Sequence, residues 1–456
     1  MTIIRQLLIL AFFICLLTSC EPAPNNPNTT VSSASPSPTA SASPSPANTG
    51  TASAQLTLPL LDALLTDEKF VARAKENLKL SDEQIESLKR VSSEQVARLR
   101  EANAEDLDAT DGDPRERAEQ ELRTILGEQK ARELATFANE YWSKGDPAEP
   151  SNDTAQMLPG LNAVPTDTRV VVNIPAFRMD LFQDGSLVKS YKVGIGYPEF
   201  PLPQGLRKAQ TIIFNPTWTP PDSPWVAEMK NVTPGETVAA GDKDNPLGPI
   251  KIPIGLPSLI HGGKSPAKIG KFASHGCVGL TNSQVKDFAA LLAKASNTNE
   301  ISDKSINTYL EDKERTQTVK LNQTVPVELR YETIVLEDDG KLHIYKDVYA
   351  QDTNTEENLR RVLEAHGVRL EDLSEQQRTE ALNALNAMSA NPQAAASPSP
   401  TASPEKKSAR KKTPAKAQNE VVIDLAKAQK GYPVPVNLDT GSGNKPATDK
   451  RRKSTD

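Results

Sequence analysis

Proline-rich, low-complexity sequence lies at both ends of this chain and restricts where a hydrophobic core can form. Residues 21–55 are almost wholly Pro, Ser, Ala, Thr and Asn, and Pro, Ala, Ser and Lys dominate 391–456. Such segments cannot bury enough apolar surface to offset the entropy lost on ordering. The 456 residues include 36 prolines and only 37% hydrophobic residues, which argues against one core spanning the chain. We therefore expect a disordered tether over 21–55 and a disordered basic tail over 391–456, with folded domains between them.

The first twenty residues have the pattern of an export signal. Arg5 is followed by an apolar run over 7–17, which is too short to favour a membrane-spanning helix and is typical of a signal peptide. The run ends in Leu, Thr and Ser before Cys20, which resembles the lipobox of bacterial lipoproteins. The alternative is an ordinary cleaved signal with a chance cysteine. The resemblance implies lipidation of Cys20 and attachment to a membrane at the cell envelope, facing the periplasm if the cell has two membranes.

Charge and cysteine content exclude other classes of protein. The net charge of −6 argues against a general nucleic-acid binder. Three cysteines cannot build a disulfide framework, and no spacing typical of structural zinc occurs. The tail over 391–456 is locally basic, with 13 Lys and Arg against 6 Asp and Glu. It is either attracted to anionic wall polymer or lipid head groups, or simply solvated.

Residues 56–145 are predicted to be helical. Ser81 and Gln84 form a capping box, and Asp113 followed by Pro114 repeats the signal for a helix start. Apolar residues recur at near-helical spacing after both signals. This region is either a docking or wall-sensing module or a small helical bundle that acts as a spacer, the second being favoured. A shorter helical stretch is predicted over 356–389.

Strands are predicted from Arg169 onward. A hairpin with its turn at Asp184 and Gly185 follows the first β-rich run, and a second strand pair surrounds 338–340. One helix, over 282–295, interrupts the strands, with Asn282 as its expected N-cap.

Two of the chain's four histidines lie within 16 residues of Cys277, the one thiol left if Cys15 is cleaved off and Cys20 carries lipid. His261 is followed by Gly262, and Ser274-His275-Gly276-Cys277 comes 13 residues after His261. A cysteine nucleophile needs its thiolate, for which a nearby imidazole supplies a base. Backbone amides around Cys277 are well placed to hold an oxyanion. A phosphate loop is excluded because Ser258 stands where that motif requires glycine, and a metal site of two histidines and one cysteine is disfavoured.

This pattern resembles the catalytic domain of L,D-transpeptidases, the YkuD-like family, in both residue identity and spacing. The resemblance extends over about 168–350, and further matches include the following segments: 172–176, 193–196, 203–205, 215–221 and 245–248. It implies a mainly-β, sandwich-like catalytic domain over 168–352, so that together with the N-terminal all-α region predicted above the chain is expected to be multi-domain. One helix would follow the nucleophile.

The resemblance also implies a function, with peptidoglycan stem peptides as substrate and no cofactor. Cys277 would attack the third stem residue of a donor tetrapeptide, release D-Ala, and pass the acyl group to an acceptor amine in a 3→3 cross-link. His261 would be the base, oriented by a carbonyl such as that of Gly262, and His275 would line the site and help to place the acyl group. The Gly276 and Cys277 amides would form the oxyanion hole. Water as acceptor, attachment or release of a wall protein, and a non-catalytic wall-binding lipoprotein are the alternatives.

Several positions near the motif have weaker assignments. Gly279 stands where the family commonly has Arg or Asn, and Lys264, Lys268 or Lys271 is a candidate replacement for that charge. Ser274, Trp218 and Lys271 are candidate substrate-binding residues, although Trp218 is more often a packing anchor in such a setting. The remaining histidines, His343 and His366, are predicted to be structural.

Overall fold

The computed structural model describes the following residues: 56–101, 113–144, 156–220, 226, 229, 231–255, 258–390, 419–425 and 431–442. The predictions for the signal peptide, Cys20, the tether, and the tail over 391–418, 426–430 and 443–456 lie outside these ranges. Within them, no helix is long and apolar enough to cross a membrane.

The N-terminal region is helical, as predicted. Its helices are α1 (Leu58–Leu65), α2 (Glu68–Leu78), α3 (Asp82–Glu101), α4 (Pro114–Leu126) and α5 (Glu128–Lys144). They share a core that includes Phe70, Leu88 and Leu134. The predicted capping box precedes α3, because the Gln84 amide donates to Ser81 Oγ at 3.2 Å and the Ser81 amide donates to Gln84 Oε1 at 3.1 Å. The side chain of Asp113 caps α4, also as predicted.

The next region is built on a curled mixed sheet. Its strands are β1 (Arg169–Asn173), β2 (Arg178–Gln183), β3 (Ser186–Lys192), β5 (Gly205–Phe214), β6 (Ile250–Pro253), β7 (Leu259–His261), β9 (Val278–Gly279) and β10 (Gln317–Arg330). Their order across the sheet is β3-β2-β1-β10-β5-β6-β7-β9. A separate pair joins β4 (Ile195–Gly196) and β8 (Phe272–Ser274). The β1–β10 and β7–β9 pairs are parallel, and the other pairs in the large sheet are antiparallel.

Strand β1 explains how this sheet is buried on both faces. Val170 and Val172 contribute to the main core, whereas Val171 belongs to a second cluster with Val335 and Tyr432. Successive side chains of a strand point to opposite faces, so a continuous run of valines is typical of a strand that is covered twice. The main core covers one face and the C-terminal part of the chain covers the other.

Helix α6 (Asn282–Ala295) lies in the main core through Val285, Phe288 and Leu292, and its existence and bounds were predicted. Its N-cap is Thr281 rather than Asn282, because Thr281 forms a capping box with Gln284. Helix α7 (Asp303–Glu311) follows and was not predicted.

The C-terminal part forms a small α/β layer, and its two helices lie in the stretch predicted to be helical over 356–389. Strands β11 (Ile334–Leu336), β12 (Lys341–Tyr345) and β13 (Glu420–Asp424) form a separate sheet, packed against α8 (Glu356–Ala365) and α9 (Glu375–Met388). The predicted hairpin around 338–340 therefore lies outside the large sheet.

Part of the predicted disordered tail is folded. Residues 420–424 pair with β12, and the backbone of Val436 and Asp439 hydrogen-bonds β3 at Ser190 and Lys192. The prediction of disorder is therefore wrong for 419–425 and 431–442. The reason is long-range pairing: the Val-Val-Ile run of β13 fills an open strand edge and places Ile423 in a core built far earlier in the chain.

Candidate active site

Two neighbouring strands bring His261 and Cys277 to the same face of the large sheet. β7 and β9 are parallel, with Ile260 opposite Val278 and His261 opposite Gly279. Ile260 and Val278 point into the main core. Because side chains alternate along a strand, His261 and Cys277, which immediately precedes β9, are both expected to point to the opposite face. The pairing of these short strands thus brings His261 and Cys277, which are separated in the sequence, to neighbouring strands.

The loop that carries the thiol is braced by buried hydroxyls. The Cys277 amide donates to Ser274 Oγ at 3.0 Å, and Ser274 Oγ donates to the Cys277 carbonyl. Ser258 Oγ donates to the Gly276 carbonyl at 2.8 Å. Gly276 has a φ of 93°, a conformation that side-chain-bearing residues rarely adopt. The glycine before the nucleophile is therefore required by the turn itself.

His261 is buried, and its ring is held by a backbone carbonyl. Its Nδ1 lies 2.7 Å from the Gly262 carbonyl, which accepts only, so the proton is assigned to Nδ1 and the lone pair to Nε2. Asn282 Oδ1 accepts a hydrogen bond from the Gly263 amide at 2.7 Å and so fixes the following loop to the start of α6. A Cβ at Gly262 would stand 2.8 Å from Val285 Cγ1, which explains the glycine after the histidine.

Burial controls the charge of the site. Burial and, to a smaller extent, the nearby charge of Lys264 lower the pKa of His261 to about 3, against the backbone hydrogen bonds with Gly262 and Leu247, which raise it. Burial also raises the pKa of the Cys277 thiol, against a backbone hydrogen bond from Leu259 and the charge of Lys264. Both directions favour a resting state of neutral thiol and neutral imidazole. A neutral imidazole is the form of histidine that is able to accept a proton from a thiol.

His275 lies between two aromatic rings. Its ring centroid is 4.7 Å from that of Phe200, edge to face, and 5.6 Å from that of Tyr197. Burial and then the charge of Lys264 lower the pKa of His275 to about 3, so this imidazole is neutral at pH 7. Packing between rings fits a residue that shapes the site.

The N-terminal helices contact the segment that carries these rings. Arg117 of α4 lies 2.7 Å from a carboxylate oxygen of Glu199, and Thr57 Oγ1 donates to the Glu199 carbonyl at 2.7 Å. Glu199 precedes Phe200, which packs on His275. The helical region is therefore linked to the site through one short segment, a contact that the sequence did not predict.

The other predicted site residues occupy varied positions. Trp218 is buried in a cluster with Val226 and Leu247, which favours its role as a packing anchor. The Lys271 side chain is exposed. Ser274 is buried with its hydroxyl engaged by the Cys277 backbone, which makes it a brace. The engaged Cys277 amide leaves the Gly276 amide as the stronger of the two oxyanion candidates.

Some residues of the site were missed. Ser258, Phe200 and Asn282 all touch the histidine or cysteine loops, but only Asn282 lies near the motif in sequence. Lys264 was one of three candidate lysines. Its side-chain carbons are the nearest atoms to a Cβ placed at Gly279. Among the described residues, no group of three or more His, Cys, Asp or Glu side chains could hold a metal ion.

A thiol and an imidazole on one sheet face, with a braced glycine turn beside the thiol, are the groups that thiol acyl transfer requires. Residues 167–310 match the family model of the L,D-transpeptidase catalytic domain, named YkuD. The resemblance recognised in the sequence is thus confirmed for that segment.

Solved structures of L,D-transpeptidases are also similar to this chain. The catalytic domain of an Enterococcus faecium enzyme is 17% identical with a TM-score of 0.24, and the match covers 37% of this chain and 100% of that one. A Mycobacterium smegmatis enzyme is 14% identical with a TM-score of 0.22, covering 36% and 58%. A longer Enterococcus faecium chain is 14% identical with a TM-score of 0.22, covering 36% and 50%. The matched part thus spans only about half of the longer enzymes, and no curated protein sequence matches this chain.

Proposed function

We propose that this protein is a peptidoglycan L,D-transpeptidase with Cys277 as its nucleophile. The observation that carries the proposal is the placement of Cys277 and His261 on one face of paired strands, with His261 Nδ1 held by the Gly262 carbonyl. His261 Nε2 is the proposed acceptor of the thiol proton. The match of 167–310 to the catalytic-domain family supports the choice of substrate.

The proposed reaction proceeds in two acyl transfers. Cys277 Sγ attacks the carbonyl carbon of the third stem residue while His261 Nε2 takes the thiol proton, and the Gly276 amide faces the developing oxyanion. The C–N bond to D-Ala then breaks, and the leaving amine takes the proton from His261. An acceptor amine next attacks the thioester, loses a proton to His261 and restores the thiol, which yields a 3→3 cross-link. His275 helps to place the acyl group.

A carbapenem tests the nucleophile, because it acylates enzymes of this family at cysteine. We expect the purified protein to gain the mass of one carbapenem, and Cys277→Ala to gain none. His261→Gln should slow the adduct strongly, whereas His366→Gln, a histidine in the C-terminal helical segment, is the matched control. A wild-type protein that binds peptidoglycan but forms no adduct would overturn the proposal in favour of a wall-binding module.

The acceptor is tested by product analysis. Incubation with a disaccharide tetrapeptide should give a 3→3 dimer with release of D-Ala. A tripeptide with no dimer would mean that water is the acceptor, and the protein would then be an L,D-carboxypeptidase. A product joined to a protein would identify wall-protein attachment or release.

We further propose that the protein is exported and held at the cell envelope by lipid on Cys20. Mass analysis of the N-terminal peptide should find an acylated Cys20, and Cys20→Ser should move the protein out of the membrane fraction. An unmodified N-terminus after cleavage would identify an ordinary signal peptide. The basic residues of 391–456 are proposed to attract anionic wall polymer or lipid head groups. If the tail binds such polymers equally well at low and high salt, the binding is not electrostatic and this proposal is contradicted.

A further inference from the structure

Lys264 lies directly over the strand that carries the nucleophile. A Cβ at Gly279 would stand 2.8 Å from Lys264 Cγ, 2.9 Å from Cε and 3.3 Å from Cδ. The Lys264 amide donates to the Leu280 carbonyl at 3.0 Å, which fixes the start of this side chain. The lysine stem thus fills the space that any side chain at 279 would occupy.

Lys264 lies on the same face of β9 as Cys277. Val278 and Leu280 point into the main core, so Cys277 and Gly279 point to the other face. The Lys264 stem covers Gly279 on that face, beside Cys277. Lys268 and Lys271, the other two candidate lysines, have exposed side chains.

We propose that Lys264 is the counter-charge to the Cys277 thiolate, a positioning residue that acts on the nucleophile from its place over Gly279. Gly279 then has a specific purpose, because its missing side chain leaves room for the lysine. The inference deepens the proposed function and rests on Cys277 being the nucleophile.

The charges around the thiol support this assignment. The charged and titratable groups that act on Cys277 and its neighbours are His261, His275, Lys264, Lys251 and Lys268. Both histidines have a pKa of about 3, chiefly through burial, so neither supplies a lasting positive charge at pH 7. Lys264 attracts the thiolate, which lowers the pKa of Cys277 against the larger effect of burial. Burial also lowers the pKa of Lys264 itself, which the Cys277 thiolate opposes.

Alkylation of Cys277 by iodoacetamide measures this effect without any substrate. The reagent is neutral and reacts with the thiolate, so its rate against pH reports the pKa of the thiol. The full chain is used, and the rate is read from the mass of the peptide that contains Cys277. Lys264→Met keeps most of the stem and removes the charge, while Lys264→Arg keeps the charge. Lys268→Met removes an exposed charge nearby and is the matched control.

We expect Lys264→Met to raise the midpoint of the alkylation profile by about one pH unit and to slow alkylation at neutral pH about tenfold. Lys264→Arg and Lys268→Met should stay within about threefold of wild type. An unchanged profile in Lys264→Met would overturn the proposal, and slower carbapenem acylation beside that unchanged profile would mean that the lysine contacts substrate instead. Because no peptidoglycan is used, failure of the transpeptidase proposal would not alter this result.

Discussion

Glu199 is a buried carboxyl group whose ionisation should change the stability of the fold with pH. Its side chain is 1% exposed and pairs with Arg117 of the helical region. Burial raises the pKa of Glu199 from its ordinary 4.5 to about 7, although the charge of Arg117 acts in the opposite direction. Burial and the charge of Arg117 shift the pKa of Glu199 in opposite directions, and we predict that burial has the larger effect.

The magnitude follows from the linkage between proton binding and folding. A carboxyl group with a raised pKa binds its proton more tightly in the folded state than in the unfolded state. The folded state is therefore favoured at low pH, and this contribution is lost as the pH rises from 4.5 to about 7. At about 1.4 kcal/mol per pH unit, the loss across that window is about 3 kcal/mol.

Glu199→Gln isolates this contribution, because glutamine has a similar shape and does not titrate. We expect the free energy of unfolding of wild type, relative to Glu199→Gln, to fall by about 3 kcal/mol between about pH 4.5 and pH 8. Urea unfolding followed by circular dichroism across that range measures it. Glu119→Gln, on the exposed side of the same helix as Arg117, is the matched control for replacing a carboxyl with an amide.

Two outcomes would refute the reasoning. A difference between wild type and Glu199→Gln that does not vary with pH would mean that the carboxyl group has the same pKa in both states. A difference that grows in favour of wild type as the pH rises would mean that the attraction to Arg117 outweighs burial. A fall confined to the window below about pH 7 would support a raised pKa of Glu199 in the folded state.

Three other features of the fold have measurable consequences. Deleting 419–456 removes an edge strand and its buried apolar side chains, so the free energy of unfolding should fall by several kcal/mol, at about 1.5–3 kcal/mol for each such side chain; an unchanged melting temperature would contradict the packing of that segment. Gly196→Ala places a Cβ 2.1 Å from the Phe200 carbonyl oxygen, so the segment over 196–200 must shift. Carbapenem acylation should then slow about tenfold or more. A normal rate would mean that the position of this segment does not affect the site. Burial opposes the charge on His343, but Glu337 and Glu420 raise its pKa to about 9. Relative to His343→Gln, wild type should therefore be most stable below about pH 6.5 and lose that advantage through pH 9, and urea unfolding at both ends of the range would detect a reversed sign.

The helical region and the histidine and cysteine motif could be predicted from the sequence, because the residues that indicate them lie close together in the chain. Ser81 and Gln84 lie three residues apart, and both hydrogen bonds of the predicted capping box are present. The hairpin between β2 and β3 and helix α6 were likewise read from short patterns of turn and apolar residues. The failure at the N-cap of α6 is equally local, since Thr281 and Asn282 are both good caps. The side-chain oxygen of Asn282 instead accepts a hydrogen bond from the Gly263 amide in the histidine loop.

Contacts between distant parts of the chain were not accessible in this way. Arg117 and Glu199 are 82 residues apart, and β13 pairs with β12 across a low-complexity segment. The five residues of β13 hardly change the overall composition of the tail. A prediction from composition therefore assigned them to a disordered segment. The edge of β12 and the core under it exist only once the preceding elements have folded.

The amino-acid sequence by itself determined the chemistry of this protein: a thiol, a histidine at a set spacing, and the glycines that their turns require. These properties belong to residue types and to short stretches of chain. Only the tertiary structure decided what surrounds the thiol, including the buried imidazoles, the Lys264 stem over Gly279 and the helices that contact Glu199. The physical reason is that burial and charge at a site are set by the packing of segments far apart in the chain, and the pKa of each group follows from that packing.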